Sequence, residues 1–211
     1  MKYYSQIGQD KFVLDYFKNK ANGVYIDIGA GDGEIFSNTL AMEELGWKGI
    51  CIEPNSFQFE KLNKKRNDCF NCCVWKEETF VSFLEVSPCT DDEAIMLSGI
   101  EMTMDAEHIT RLSKQADPDS IKCVVRRTIT LNSVVHTLVD SGLHSIDYVS
   151  IDTEGSEFEI LKAFDFDRYP VEVFTVENNY NEDGIRRFMD SKGYDLKKLS
   201  WDDVYIKRIE V

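Results

Sequence analysis

Residues 24–33, Val24-Tyr25-Ile26-Asp27-Ile28-Gly29-Ala30-Gly31-Asp32-Gly33, decide the reading of the fold. Four of the first five are apolar and of β-branched or aromatic type, which reads as a buried strand. A glycine run then breaks it, and glycine is needed where a chain turns sharply and lets a ligand touch backbone. Helical periodicity over 37–45 follows and stops at Gly46, a residue suited to a left-handed cap. Strand, glycine loop and helix in that order open a nucleotide-binding α/β domain.

Two ligand classes use such a loop. A dinucleotide site wants G-x-G-x-x-G, but position 34 is Glu34 and the spacing here is G-x-G-x-G. Asp27, Asp32 and Glu34 repel a pyrophosphate and attract an ammonium. The loop therefore points to S-adenosylmethionine, whose methionine end carries an ammonium and whose sulfur is cationic. Glu53, 20 residues past Gly33, ends a second strand over 49–53 and is placed to accept both ribose hydroxyls. That role is common to both ligand classes, so a nicotinamide-dependent oxidoreductase stays open on the acid alone. An ordinary turn with a solvated acid is the plainer alternative.

Outward from the loop, short β-branched runs alternate with amphipathic helices, the pattern of a parallel sheet covered on both faces. Ser56 is positioned to cap a helix bearing Phe59 and Leu62, with Lys61, Lys64, Lys65 and Arg66 on its solvated side. Further strands are expected over 71–74, 79–86, 121–131, 146–152 and 171–176, and a closing antiparallel pair over 194–199 and 204–209. Asn132 reads as the cap of a helix ended by Gly142, and two more helices surround Leu161 and Phe188. No repeat or linker divides the chain, so one domain over 1–211 is expected. Residues 88–119 break the rhythm, and an insert at about 87–120 is expected to fold over the acceptor site as a lid. Its Met96, Met102 and Met104 suit either an adaptable acceptor surface or simple packing. Of Arg126-Arg127, in a strand, one side chain must point outward.

Thirteen Phe, nine Tyr and three Trp in 211 residues supply a sizeable core, which argues against disorder. The net charge of −14 repels phosphate backbones and anionic lipid, so no nucleic-acid partner is expected. No stretch is apolar enough to span a membrane. The N-terminal residues lack a signal-peptide core, and the six cysteines read as reduced thiols of a cytoplasmic protein. Cys69, Cys72 and Cys73 have half the spacing of a zinc site, without the second pair that such sites need.

Taken together, Ser5-Gln6-Ile7-Gly8-Gln9-Asp10, Asp27 to Gly33, Ser37-Asn38-Thr39, Gly46-Trp47-Lys48-Gly49, Ile52-Glu53-Pro54 and Ile151-Asp152-Thr153-Glu154-Gly155-Ser156-Glu157 resemble the FkbM-type methyltransferases. In the segment that directly follows the third strand little beyond Ser98-Gly99 matches. The resemblance implies a class I, Rossmann-like three-layer sandwich whose seven-stranded, mostly parallel sheet has an antiparallel last strand. It implies methyl transfer from S-adenosylmethionine to oxygen, with a hydroxyl of a sugar in a glycan as the preferred acceptor and a protein or other small molecule as the alternative. By the same carry-over Gln9, Asp27, Gly29, Gly31, Ser37, Asn38 and Glu53 bind the cofactor. The chain is also compatible with being one domain of a longer glycan-synthesis polypeptide.

Ligands of an open α/β sheet bind beyond the carboxyl ends of its strands. Strand four ends at Asp152 with Glu154 beyond it, and strand five at Glu177-Asn178-Asn179. A hydroxyl acceptor must lose a proton, to a positioned base or through polarisation by a divalent cation. Asp152, Glu177 and Asn178 offer oxygen ligands for Mg²⁺ or Mn²⁺. In the competing reading Asp152 and Glu154 hold the methionine end and order the loops without metal. Among the histidines, His108 lies in the insert and is the candidate base. His136 falls in a helix among apolar residues, and His144 precedes strand four at the far end of the sheet.

Overall fold

The structure is a computed structural model that describes residues 1–88, 93–143, 145–178 and 183–209. Cys89, His144 and Asn179 lie outside the described residues. In chain order the helices and strands are α1 (Gln9–Tyr16), β1 (Val24–Ile28), α2 (Leu40–Glu44), β2 (Lys48–Ile52), α3 (Ser56–Lys65), β3 (Cys69–Phe70), β4 (Cys73–Val74), β5 (Phe80–Val86) and β6 (Gly99–Ile100). Then come α4 (Ala106–Gln115), β7 (Ile121–Ile129), α5 (Leu131–Asp140), β8 (Ile146–Ile151), α6 (Glu157–Ala163), β9 (Val171–Glu177), α7 (Asp183–Ser191), β10 (Tyr194–Leu199) and β11 (Asp202–Lys207).

Strand β1 is buried at all five residues and sits inside a sheet of seven strands, ordered β10-β11-β9-β8-β1-β2-β3. Its pairings with β2 and β8 are parallel, as are those of β2 with β3 and β8 with β9. The last strand, β11, runs antiparallel to both its neighbours. Alternation along β1 sorts the core. Ile26 and Ile28 pack with Val134 and Leu138 of α5, Ile160 of α6 and Met189 of α7. Tyr25 faces the other way, with Leu14 of α1, Met42 of α2 and Leu62 of α3. Sheet order reverses at β1, so the crevice at the carboxyl ends of β1, β2 and β8 is the natural ligand site.

A second sheet, ordered β4-β7-β5-β6, was not foreseen. The third strand expected over 71–74 divides instead, with Cys69–Phe70 ending the large sheet and Cys73–Val74 joining the small one beside β7. Asn71 turns the chain by donating its side-chain amide to the carbonyls of Glu53 (2.8 Å) and Pro54 (3.2 Å). Cys73 and Trp75 are then buried against Val81, Phe83 and Ile100. Cys51, Cys72 and Cys73 are buried thiols, Cys69 is half-buried and Cys123 exposed.

The described part of the insert, from residue 93 on, is regular. Asp105 caps α4 by accepting the His108 N–H (2.7 Å), and Leu112 and Ala116 join Val86, Ala94 and Leu97 in a small core. Other local expectations shift by a residue or more. The helix expected over 37–45 forms only over Leu40–Glu44, because Ser37 accepts the N–H of Leu40 (3.1 Å) and Phe36 is left-handed. Asn55, not Ser56, caps α3, and Thr130, not Asn132, caps α5. Arg126 is drawn inward by Glu85 and the Pro54 carbonyl, and Arg127 is exposed. Among the described residues no helix is long and apolar enough to cross a membrane.

Candidate active site

The site begins with two glycines of the first loop. Gly29 has φ +84°, and a Cβ there would fall 1.7 Å from the Asp152 carbonyl oxygen. The carboxyl ends of β1 and β8 meet at this point because residue 29 has no side chain, and Asp152 N–H closes the junction on the Ile28 carbonyl (3.0 Å). Gly31 has φ +57°, and a Cβ there would meet nothing within 4 Å. Its N–H donates to Glu53 Oε2 (2.9 Å), joining the loop to the end of β2. Both glycines border a cavity of about 430 Å³ at the carboxyl ends of β1, β2, β8 and β9.

Acids dominate that cavity. Asp27, Glu53, Glu93, Asp152, Glu154 and Glu177 line it, against one cation, Arg111, among the described residues. Asp27 is buried, accepts the Thr39 hydroxyl (2.6 Å), and has its pKa raised by burial against the pull of Arg66. Burial lifts Glu53 to about 7, although the N–H groups of Asn55 (2.7 Å) and Gly31 favour its ionised form. Asn38 donates to Ser150 (3.0 Å), while its own carbonyl oxygen is buried with no protein partner. An orphan acceptor of this kind calls for a donor from a ligand or water. Ser37 also lines the cavity, as does Gln9, whose amide donates to Asp202 (2.7 Å).

Asp152 and Glu177 stand at the ends of neighbouring strands and are joined by a side-chain hydrogen bond. Both are pushed well above the usual carboxylate range. The first cause for both is burial, followed by the repulsion of Glu154, Glu157 and Asp202; Asp152 also raises Glu177, whereas the hydrogen bond from Glu177 pulls Asp152 back down. Glu154 has a left-handed backbone, φ +58°, and accepts Arg111 of α4 (2.9 Å). His108 is fully buried behind it. Its Nε2 donates to the Leu97 carbonyl (2.9 Å), and Nδ1 lies 3.4 Å from Glu154 Oε2 and 3.5 Å from Arg111 Nη2, so the ring stands behind these cavity-lining residues. Burial opposes a charged His108, but Glu154 and Leu97 outweigh it and raise the pKa. Asn178 donates its amide N–H to Asp203 (2.7 Å). No group of three or more His, Cys, Asp or Glu side chains suited to a metal ion occurs among the described residues. His136 is exposed on α5 and pairs with the Tyr169 hydroxyl.

A family model for the methyltransferase FkbM domain matches residues 27–196. The chain belongs to the FkbM methyltransferase family. A solved FkbM methyltransferase from Methylobacillus flagellatus KT superposes with a TM-score of 0.51 at 12% identity, covering 88% of this chain. The FkbM domain described here corresponds to 43% of that protein's length. A precorrin-6y C5,15-methyltransferase from Geobacter metallireducens GS-15 gives 0.45 at 12% identity, over 94% of this chain and 87% of that one. No curated protein matches the sequence.

Three side chains of the FkbM domain escaped the sequence reading. Arg66 is buried, not solvated, and its guanidinium binds Glu43 (2.6 Å), Tyr25 (2.9 Å), Thr39 (2.8 Å), Ser37 (3.1 Å) and the Gly33 carbonyl (3.2 Å). It locks the loop over 33–39 against β1 and α3. Buried Gln58 and Leu62 precede it at spacing i, i+4, i+8, a stripe that placed Arg66 on the inner face. Glu157, the last acid of the second motif, holds Thr153 by its N–H (2.8 Å) and hydroxyl (2.6 Å) and also binds the Gly155 N–H (3.0 Å). Arg111 gave no local signal, because its partner Glu154 lies 43 residues away.

Proposed function

We propose that this FkbM domain transfers a methyl group from S-adenosylmethionine to a hydroxyl of a neutral sugar, in the manner of a class I, three-layer methyltransferase. The observation that carries the reading is the cavity wall: six carboxyl groups and the buried, unpartnered Asn38 carbonyl beside a glycine loop. When bound, S-adenosylmethionine supplies a methyl group on a cationic sulfur. Asp27, Asn38 and Gln9 present acceptors suited to its ammonium, Glu53 to its ribose hydroxyls, and Gly29, Gly31 and Ser37 shape the turn that admits it. A pyrophosphate would meet six carboxyl groups against one arginine, Arg111, among the described residues, which disfavours the nicotinamide alternative. The free thiols among the described cysteines fit a cytoplasmic setting.

Asp152 is the proposed proton acceptor for the attacking hydroxyl. Its raised pKa brings its basicity nearer to that of a useful general base, and Glu177 orients it. Glu154 sets the loop, with Arg111 and His108 acting through it. A divalent ion bound by Asp152 and Glu177 is the second reading, since paired carboxyls can exchange a shared proton for a cation. The Asn178 amide N–H is committed to Asp203, so its carbonyl oxygen is the atom that would join such a set. Calorimetry tests the cofactor: saturable heat with S-adenosylhomocysteine and none with NAD is expected, and the reverse pattern overturns the reading. Transfer of radiolabelled methyl to simple glycosides tests the acceptor.

A further inference from the structure

Trp201 is unlike the other two tryptophans. Trp47 and Trp75 are 2% and 4% exposed, whereas Trp201 is 46% exposed and still lines the cavity. It stands in the turn between β10 and β11, next to Ser200, whose φ of +59° is left-handed. In the antiparallel pairing of β11 with β9, Asp202 lies opposite Glu177. Trp201 is therefore one residue from the position facing Glu177, beside the Asp152–Glu177 pair. Gln9, which also lines the cavity, donates its amide to the adjacent Asp202 (2.7 Å), and Gln6 belongs to the same lining.

We infer that Trp201 is the acceptor platform: its indole face stacks against the C–H face of a neutral saccharide ring while the ring hydroxyls meet the carboxyls of Asp152 and Glu177. The inference rests on the sugar-methyltransferase reading above and adds the residue that selects the acceptor. The negative face of an aromatic ring attracts the weakly positive C–H edges of a sugar, and carboxyl and amide groups satisfy its hydroxyls. Six carboxyls against Arg111, which Glu154 already engages, repel an anionic acceptor. A purely apolar acceptor leaves Asp152 and Glu177 without hydroxyl partners. A saccharide ring satisfies both halves of this surface.

The test uses the full chain saturated with S-adenosylhomocysteine and the methyl glycosides of rhamnose, fucose, mannose and galactose, with glycerol as a hydroxyl compound lacking a ring. Because the other two tryptophans are buried, the emission change on stacking reports Trp201. A saturable change with at least one glycoside, absent with glycerol and lost in Trp201→Ala, is expected. In methyl-transfer assays Trp201→Ala raises KM for that glycoside by about tenfold with kcat little changed, Trp201→Phe recovers much of the loss, and S-adenosylhomocysteine affinity is preserved. If glycosides are methylated but Trp201→Ala keeps the parent KM, or emission never responds, the platform is refuted and the methyltransferase reading stands. If no glycoside is methylated while another hydroxyl compound is, the sugar reading fails and takes the platform with it.

Discussion

Gly29 and Gly31 lie two residues apart in one loop, and alanine at each has a different expected consequence. Both have positive φ, +84° and +57°, so each alanine carries about 1–2 kcal/mol of left-handed strain. At Gly29 the new methyl also lands 1.7 Å from the Asp152 carbonyl oxygen, which is main chain and cannot swing away. Separating β1 from β8 to make room adds an overpacking cost of about 1–3 kcal/mol. Gly29→Ala is thus expected to lose about 2–5 kcal/mol of stability in urea denaturation. At Gly31 the methyl meets nothing within 4 Å and projects into the cavity, so the stability loss stays at the strain alone. The penalty falls on the ligand instead, and S-adenosylhomocysteine is expected to bind at least about tenfold more weakly, or about 1.4 kcal/mol. Calorimetry on the folded variants reads this directly. Parent-like affinity in Gly31→Ala would refute the assignment of this loop as the cofactor cradle, and a Gly29→Ala protein as stable as the parent would refute the close approach of the two strands.

Glu53 makes the apo protein pH-sensitive: with its pKa raised from 4.5 to about 7, the folded state holds a proton the unfolded chain has released. Stability is therefore expected to fall as pH rises from about 4.5 to about 7, and Glu53→Gln should remove up to about 3 kcal/mol of that fall; parallel urea-midpoint profiles of parent and variant would contradict it. Arg66→Met strips Asp27 and Glu43 of their buried cation and is expected to cost about 3–5 kcal/mol, read as a shift in the denaturation midpoint without a change in its steepness. Asp152→Asn is expected to lower kcat by about 10²–10⁴ with S-adenosylhomocysteine binding retained, and turnover near that of the parent would remove Asp152 as the base. Activity is expected to survive exhaustive EDTA; loss that Mg²⁺ or Mn²⁺ restores would establish the cation route instead.

Where local chemistry dictates structure, the linear chain was readable. The all-apolar flanks of Asp27 in β1, the glycines after it and the Glu53 strand end specify a parallel strand pair with a ligand loop, and the family match over 27–196 agrees. The closing β10–β11 pair was also readable, although β11 starts at Asp202, inside the stretch expected as the turn, and ends at Lys207. Errors arose where partners are remote in sequence. A basic run at 61–66 looked solvated throughout, yet the last of it, Arg66, is captured by Glu43, Tyr25 and Thr39, 23 to 41 residues upstream. Residues 88–119 looked irregular because their helix α4 buries its apolar side against a second sheet that no local pattern announced.

Sequence by itself determined the βα order, the glycine hinge and the acidity of the strand ends, because dihedral freedom, side-chain alternation and formal charge are properties of single residues and near neighbours. Tertiary structure alone decided that Asp152 meets Glu177, that Asn38 keeps an unpartnered oxygen, that Asn178 turns to Asp203 and that Trp201 stands at the cavity wall. Those outcomes depend on which strands lie side by side and in what register. Hydrogen-bond and burial energies between distant segments choose that register.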